Sequence, residues 1–262
     1  MTTTPQLATL ANGNPKIQFV ELDPRPVTVD TQPTPNHNLL HIVYDYRVAY
    51  LQAGYLAAAL AESGSVGVIG AAGDPTVEDE IWYFRQGVDQ YAEKISKLVG
   101  IVGAQGAESS SWKLLPAGAT ASQLRKRATQ VIAAGADVIL PIGVNALPVA
   151  QVALADKKLV IGTDSDWAQQ ERYSIVKDAV LASVTKAVSQ TVVDQVAKAM
   201  GVSAPSPSPA AAYSPVLRLD AVLTPEAGVS YRGIAADLTR LAQDYLAGNT
   251  TVVEPSSLVG AK

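Results

Sequence analysis

The chain reads as an α/β protein whose parallel strands are covered on both faces. Two observations carry that prediction. Short segments rich in β-branched residues recur at VGVIG (66–70), KLVGIVG (97–103), ADVILP (136–141) and KLVIG (158–162). They are apolar nearly throughout, as strands buried on both faces are, and do not alternate as half-solvated strands do. Between them lie segments of helical period, and strands alternating with helices favour a doubly wound sheet.

Taken in order, 46–63 and 77–94 are helix candidates, the first closed by Gly64. In 120–134 the residues Leu124, Ala128, Val131 and Ile132 fall at i, i+4, i+7 and i+8, and Gly135 sits where a C-terminal cap belongs. The flanks add strand candidates KIQFVEL (16–22) and NLLHIV (38–43), joined by a proline-rich turn. After the lobe come a short strand at 179–183, a helix over 184–200 with Val188, Val192 and Val196 on one face, and the linker SAPSPSPAAAYSP (203–215). A strand at 216–223 and a helix at 231–247, stopped by Gly248, complete the chain. The expected organisation is one complete doubly wound lobe over 44–178 and a discontinuous second lobe made of 1–43 with 179–262.

Composition narrows the function. Across 262 residues, 48% are apolar and 17% charged, which is ordinary for a globular protein, and the formal charge of −4 argues against nucleic acid or an anionic membrane as partner. The chain has no cysteine and only two histidines, His37 and His41, so thiolate chemistry is excluded and zinc or Ser-His-Asp chemistry is poorly supplied. His41 falls within a strand candidate and reads as a strand residue. No apolar run approaches the roughly 20 residues of a membrane span, and the N-terminus as written has no signal-peptide pattern. No cofactor is expected.

In open parallel sheets, ligands bind beyond the carboxyl ends of the strands. Three segments fall there: AAGDPT after the first core strand, IGVNAL after ADVILP, and TDSDWAQ after KLVIG. Gly143 and Asn145 offer a close backbone approach and one amide, or a plain strand-to-helix turn with Asn145 as cap. Asp164-Ser165-Asp166 suits a divalent-cation site, a ligand clamp, or a cap in a short turn. Lys186 is read in the first turn of the helix that follows, where the helix dipole disfavours a cation and a carboxylate or polar ligand offsets the cost. Asp164 and Lys186 then make an acceptor and a donor suited to a hydroxyl-bearing ligand. Trp82 reads as a core residue. Trp112 and Trp167, in loops near strand ends, are candidates for stacking on a planar ligand.

The order of NGNPKIQFVELD, YLQAGYLA (50–57), GSVGVIGA, SSSW, AAGADVILP, LVIGTDSD and VLASVTKAV resembles the basic membrane protein family over nearly the whole chain. These are solute-binding components of ABC importers, among them purine-nucleoside-binding lipoproteins. The resemblance implies a type I periplasmic-binding-protein fold with two Rossmann-like lobes, one complete and one discontinuous and truncated. It implies an extracytoplasmic, non-enzymatic protein that takes a nucleoside-like ligand and partners an ABC permease. In the family's GxDSD-like and TSxxK-like motifs the first aspartate and the lysine contact ligand, which here are Asp164 and Lys186. The sequence departs from the family pattern at Trp167, where a glutamine or similar polar residue is usual. It also lacks the Asn-Asp-x-x-Phe-like element of the family's opening strand and loop. Two other functions fit the same residues: a cytosolic ligand-sensing regulator on this scaffold, and an Asp-x-Asp metal-dependent transferase, the latter without a second acidic cluster to support it.

Overall fold

The computed structural model describes residues 4–22, 38–42, 44–103, 114–186, 188–202, 216–218 and 231–250. In chain order the elements begin α1 (Thr4–Gly13), β1 (Phe19–Leu22), β2 (Leu39–Ile42), α2 (Arg47–Leu60), β3 (Ser65–Gly70), α3 (Pro75–Ile95) and β4 (Gly100–Val102). Then come α4 (Ala121–Ala133), β5 (Val138–Ile142), α5 (Leu147–Ala155), β6 (Leu159–Gly162) and two 3-10 segments, Trp167–Gln169 and Glu171–Ala179. Last are β7 (Val180–Thr185), α6 (Val188–Ala199), β8 (Val216–Arg218) and α7 (Tyr231–Leu246). They form two compact units: Tyr46–Thr185 with Pro215–Lys262, and Met1–Asp45 with Lys186–Ser214.

The larger unit is a six-stranded sheet in the order β4-β3-β5-β6-β7-β8, parallel except for the antiparallel edge strand β8. Strand periodicity divides its core in two. Val66, Val68, Val138, Leu140, Ile142 and Ile161 face α2, α3 and α7, while Ile69, Ile139 and Val160 face α4, α5 and the 3-10 segments. Both faces being covered is why these strands read as continuous apolar runs. Local chemistry sets the helix ends. Asp74 accepts from the Thr76 N–H at 3.0 Å with Pro75 opening α3, and Thr120 and Gln123 form a reciprocal capping box on α4. Gly135, at φ 105°, closes α4 by donating to the Ile132 carbonyl while Ala136 donates to that of Val131.

Two differences from the sequence reading concern this unit. β7 and α7, assigned above to the second lobe, belong here: Val160, Ile161 and Gly162 of β6 pair with Val180, Ala182 and Ser183 of β7, and Ile234, Leu238 and Leu241 of α7 are buried in the core that contains α2. The boundary at 178 therefore moves to Thr185, β8 joins the sheet as its edge strand, and α7 packs on the core of this unit. The other difference is α5, LPVAQVALA, a helix that no period in the sequence marks. Apolar almost all round, it presents no single stripe from which to read a period.

α7 is also tied by polar contacts. Asp237 accepts from Lys94 Nζ at the end of α3, from Tyr55 Oη of α2 at 3.2 Å and from Arg240 Nη2 at 3.1 Å; Gln52 Nε2 donates to the Leu238 carbonyl at 2.9 Å. The Lys94 hydrogen bond holds the Asp237 carboxyl below the usual carboxylate range, and the same bond raises Lys94. A carboxyl whose pKa is lowered by folding stabilises the fold above its unfolded value of about 3.9, and that contribution is lost as pH falls through the folded value. The difference in thermal midpoint between wild type and Asp237→Asn is thus expected to hold steady from about pH 5 to about pH 9 and to shrink progressively as pH falls below about 4. A difference that persists undiminished at lower pH would contradict the pairing.

The smaller unit contains α1, the parallel pair β1–β2 in register Phe19↔Leu39 to Leu22↔Ile42, and α6. Asn38, 5% exposed, organises the turn after α1: its Nδ2 donates to the carbonyls of Ala11, Asn14 and Ile17 at 2.9, 3.1 and 2.8 Å. His41 sits in β2 opposite Glu21, as a strand residue should. His37, the proline-rich turn and the 203–215 linker lie outside the described residues. On α6 the buried position is Thr191, paired with Tyr44 Oη at 3.0 Å, and the Val188, Val192, Val196 face is exposed.

Candidate functional site

Along the order β4-β3-β5-β6-β7 the chain winds outward in opposite directions from β3 and β5, so the loops leaving the carboxyl ends of these two strands part. Such a switch point is where open α/β sheets hold ligands. The loops there are Ala71–Asp74 after β3 and Gly143–Ala146 after β5, with Thr163–Asp166 following the adjacent β6. Ala71 N–H still donates to the Ile142 carbonyl at 3.2 Å, which holds the two strand ends together.

Gly143 has φ 65°, and a Cβ there would come within 2.7 Å of Val77 Cγ2 on α3. Backbone conformation and packing both require glycine at this position. Asn145 is exposed and is not the helix cap: the N-cap position of α5 is Ala146, which makes no side-chain cap bond. Its amide stands on the loop surface at the strand-end edge.

The two aspartates of TDSDW have separate roles. Asp166 caps the 3-10 turn Trp167–Gln169, accepting from Ala168 N–H at 3.1 Å. Asp164 is exposed and sits in the left-handed backbone region at φ 68°, a conformation that aspartate tolerates better than most residues and that protein sites use for aiming a side chain. Among the described residues no group of three or more His, Cys, Asp or Glu side chains is placed to hold a metal ion.

Trp167 is not a stacking surface for ligand. It is 2% exposed, donates from Nε1 to the Thr163 carbonyl at 3.1 Å, and lies parallel to Tyr173 with ring centroids 4.2 Å apart and planes 9° from coplanar. Its backbone N–H donates to Ser183 Oγ of β7 at 3.1 Å. The flat face expected to meet a planar ligand is spent on Tyr173. Arg172 lies 4.7 Å from the Tyr173 ring centroid. Burial raises the Tyr173 phenol; Arg172 opposes that shift and the Asp164 carboxylate adds to it, so Asp164 is electrostatically close to this stack. Trp112 lies outside the described residues, and Trp82 is half-buried on α3 with Arg85 5.9 Å from its ring.

Lys186 also differs from its reading. β7 runs through Thr185 and α6 starts at Val188, whose N–H donates to the Lys186 carbonyl at 2.8 Å. The lysine therefore precedes the helix and follows directly on a strand, and the helix-dipole argument for its partner falls away. Thr163, Ser183, Arg172 and Tyr173, which shape the Asp164 loop, were not singled out from sequence. The one local clue was Gly162, where a Cβ would meet Ser183 Oγ at 2.5 Å and the Trp167 ring at 2.7 Å.

A doubly wound sheet with polar loops gathered at its carboxyl edge is the architecture of periplasmic solute-binding proteins of type I fold. Its solved neighbours agree. The chain is similar to an ABC transporter system solute-binding protein from Aeropyrum pernix K1, with TM-score 0.60 and 13% identity, covering 96% of this chain and 75% of the other. It is similar to a second ABC transporter solute-binding protein, from Conexibacter woesei DSM 14684, with TM-score 0.57, 15% identity and coverage of 96% and 76%. A transcriptional activator of the comK gene from Bacillus halodurans shares the fold at TM-score 0.59 and 16% identity, covering 91% and 75%. No curated protein matches the sequence. The family model described as ABC transporter substrate-binding protein PnrA-like matches residues 5–204, and the chain belongs to that family. Proteins of this class bind a small molecule and deliver it to a permease. Among the described residues no helix is long and apolar enough to cross a membrane.

Proposed function

We propose that this chain binds a nucleoside-like solute for an ABC importer, with Asp164 as the anchor for the ligand's hydroxyl groups. The observation that carries the reading is the exposed Asp164 carboxylate, raised on a left-handed turn at the carboxyl end of β6 while its neighbour Asp166 is spent as a cap. A carboxylate has two acceptor oxygens, which matches the two donors of a vicinal diol such as a ribose presents. The family resemblance supplies the nucleoside. The same reading makes Lys186 a donor to the ligand and gives Gly143 and Asn145 a backbone approach and an amide at the switch point.

Calorimetric titration with adenosine, guanosine and inosine tests it. Wild type is expected to bind at least one of them, with no loss on adding a chelator, and Asp164→Asn to weaken that binding by roughly 10- to 100-fold, the worth of one or two hydrogen bonds to a charged group. Unchanged affinity in Asp164→Asn refutes the anchor. Binding that vanishes on chelation refutes the metal-free reading.

A further inference from the structure

The geometry points to Trp167 as the positioning residue for Asp164, acting from the core through the Thr163 carbonyl. This rests on the reading of Asp164 as ligand anchor, and goes beyond it by assigning a role to a residue that cannot itself reach ligand.

The Thr163 carbonyl belongs to the peptide plane that enters Asp164, so whatever fixes that plane restricts φ of Asp164. Trp167 Nε1–H fixes it with a 3.1 Å hydrogen bond inside the core, where Thr163 is 8% and Trp167 2% exposed. A non-glycine residue at φ 68° is held against its own preference and persists only where its surroundings over-determine it. The surroundings here are stiff. The indole lies over Gly162, where there is no room for a Cβ, is stacked on Tyr173, and is tethered at its backbone N–H by Ser183. The chain turns from Thr163 through Asp164 and Asp166 and returns to Thr163 through the indole, closing a loop of five residues with one side-chain donor. Asp166 stiffens the same loop through its bond to Ala168 N–H. A glutamine at 167 has no ring to stack on Tyr173 and carries its donor on a flexible stem, so the rigid arrangement belongs to tryptophan.

The test replaces Trp167 by 3-benzothienylalanine, which keeps the bicyclic shape and substitutes sulfur for the N–H group. Affinity for the three nucleosides is measured by calorimetry, and in the ligand-free protein the three-bond amide–Hα coupling of Asp164, which reports φ, is measured by NMR. The expected result is a shift of the Asp164 coupling away from its wild-type value and a loss of affinity of about tenfold, one hydrogen bond's worth, with the thermal midpoint close to wild type. An Asp164 coupling identical to wild type overturns the proposal whatever the affinity. If the coupling shifts but Asp164→Asn binds nucleoside as wild type does, Trp167 positions Asp164 as proposed and the anchor reading alone falls.

Discussion

Gly54→Ala is expected to lower the thermal midpoint by roughly 4–8 °C, although alanine is the better helix former by about 1 kcal/mol. Gly54 in α2 and Gly87 in α3 mark where the two helices touch through their backbones. A Cβ at Gly54 would lie 1.8 Å from the Phe84 carbonyl oxygen, and one at Gly87 would lie 1.9 Å from that of Leu51. Contacts below 3.0 Å are essentially never seen for real Cβ atoms, so the helices would have to part by more than an ångström. Backbone oxygens cannot rotate away as a side-chain end can. Parting the helices loosens Leu51, Tyr55, Phe84 and Val88, which are buried on the same core. Overpacking of this kind costs about 3 kcal/mol, which leaves about 2 kcal/mol of destabilisation after the propensity gain. At about 2–4 °C per kcal/mol for a domain of this size, the midpoint falls by the stated amount. Gly87→Ala is expected to behave alike, and a midpoint at or above wild type in either variant would contradict the glycine contact.

That contact shows what the sequence carried and what it left out. The helical period of 77–94 was legible because α3 buries one stripe, and 46–63 read as a helix although α2 is buried on most sides, but nothing local distinguishes a glycine at a helix crossing from one that merely weakens a helix. The strands were legible for the converse reason: burial on both faces leaves no polar alternation, so VGVIG and KLVIG stand out as continuous apolar runs. Which lobe a strand joins depends on non-local pairing. VLASVT has the same character as the other core strands, and only its hydrogen bonds to β6 place it in the six-stranded sheet. The start of α6 was misjudged because β-branched Val184 and Thr185 fit either a strand end or a weak first turn, and β8 across from them decides for strand.

At the site, the polar position of the loop was legible and the direction of its side chains was not. Asp166 as a cap follows from its spacing to Ala168, a local relation. Trp167 was misread because an indole after two aspartates looks solvent-facing, whereas its ring turns inward over Gly162 to meet Tyr173 and its backbone N–H is held by Ser183 on the neighbouring strand. For Asn145 a cap stood beside a ligand-facing amide because its residue type suits both, and the helix start after Ala146 removes the cap.

Gly162→Ala is expected to strike stability and binding together, and it separates the packing of the Asp164 loop from the packing of the sheet. A Cβ at 162 would approach Trp167 Cδ2 and Cγ at 2.7 Å and Ser183 Oγ at 2.5 Å. The serine hydroxyl can rotate, but then it ceases to accept from the Trp167 N–H. The indole has nowhere to retreat because Tyr173 lies parallel to it at 4.2 Å. The loop must therefore shift as a body, and the Nε1 bond to the Thr163 carbonyl shifts with it. A cost of about 1–3 kcal/mol is expected, or roughly 2–12 °C in thermal midpoint, together with at least about a tenfold loss of nucleoside affinity. Gly67→Ala is the matched comparison. Its Cβ would meet Val131 Cγ1 at 2.3 Å and Ala136 at 3.1 Å, overpacking the core beneath α4 rather than the loop after β6. That variant is expected to lose stability to a similar degree and to bind as wild type does, once measured well below its midpoint. Equal losses of affinity in the two variants would mean that binding follows global stability. A loss confined to Gly162→Ala would tie affinity to the geometry of the Asp164 loop.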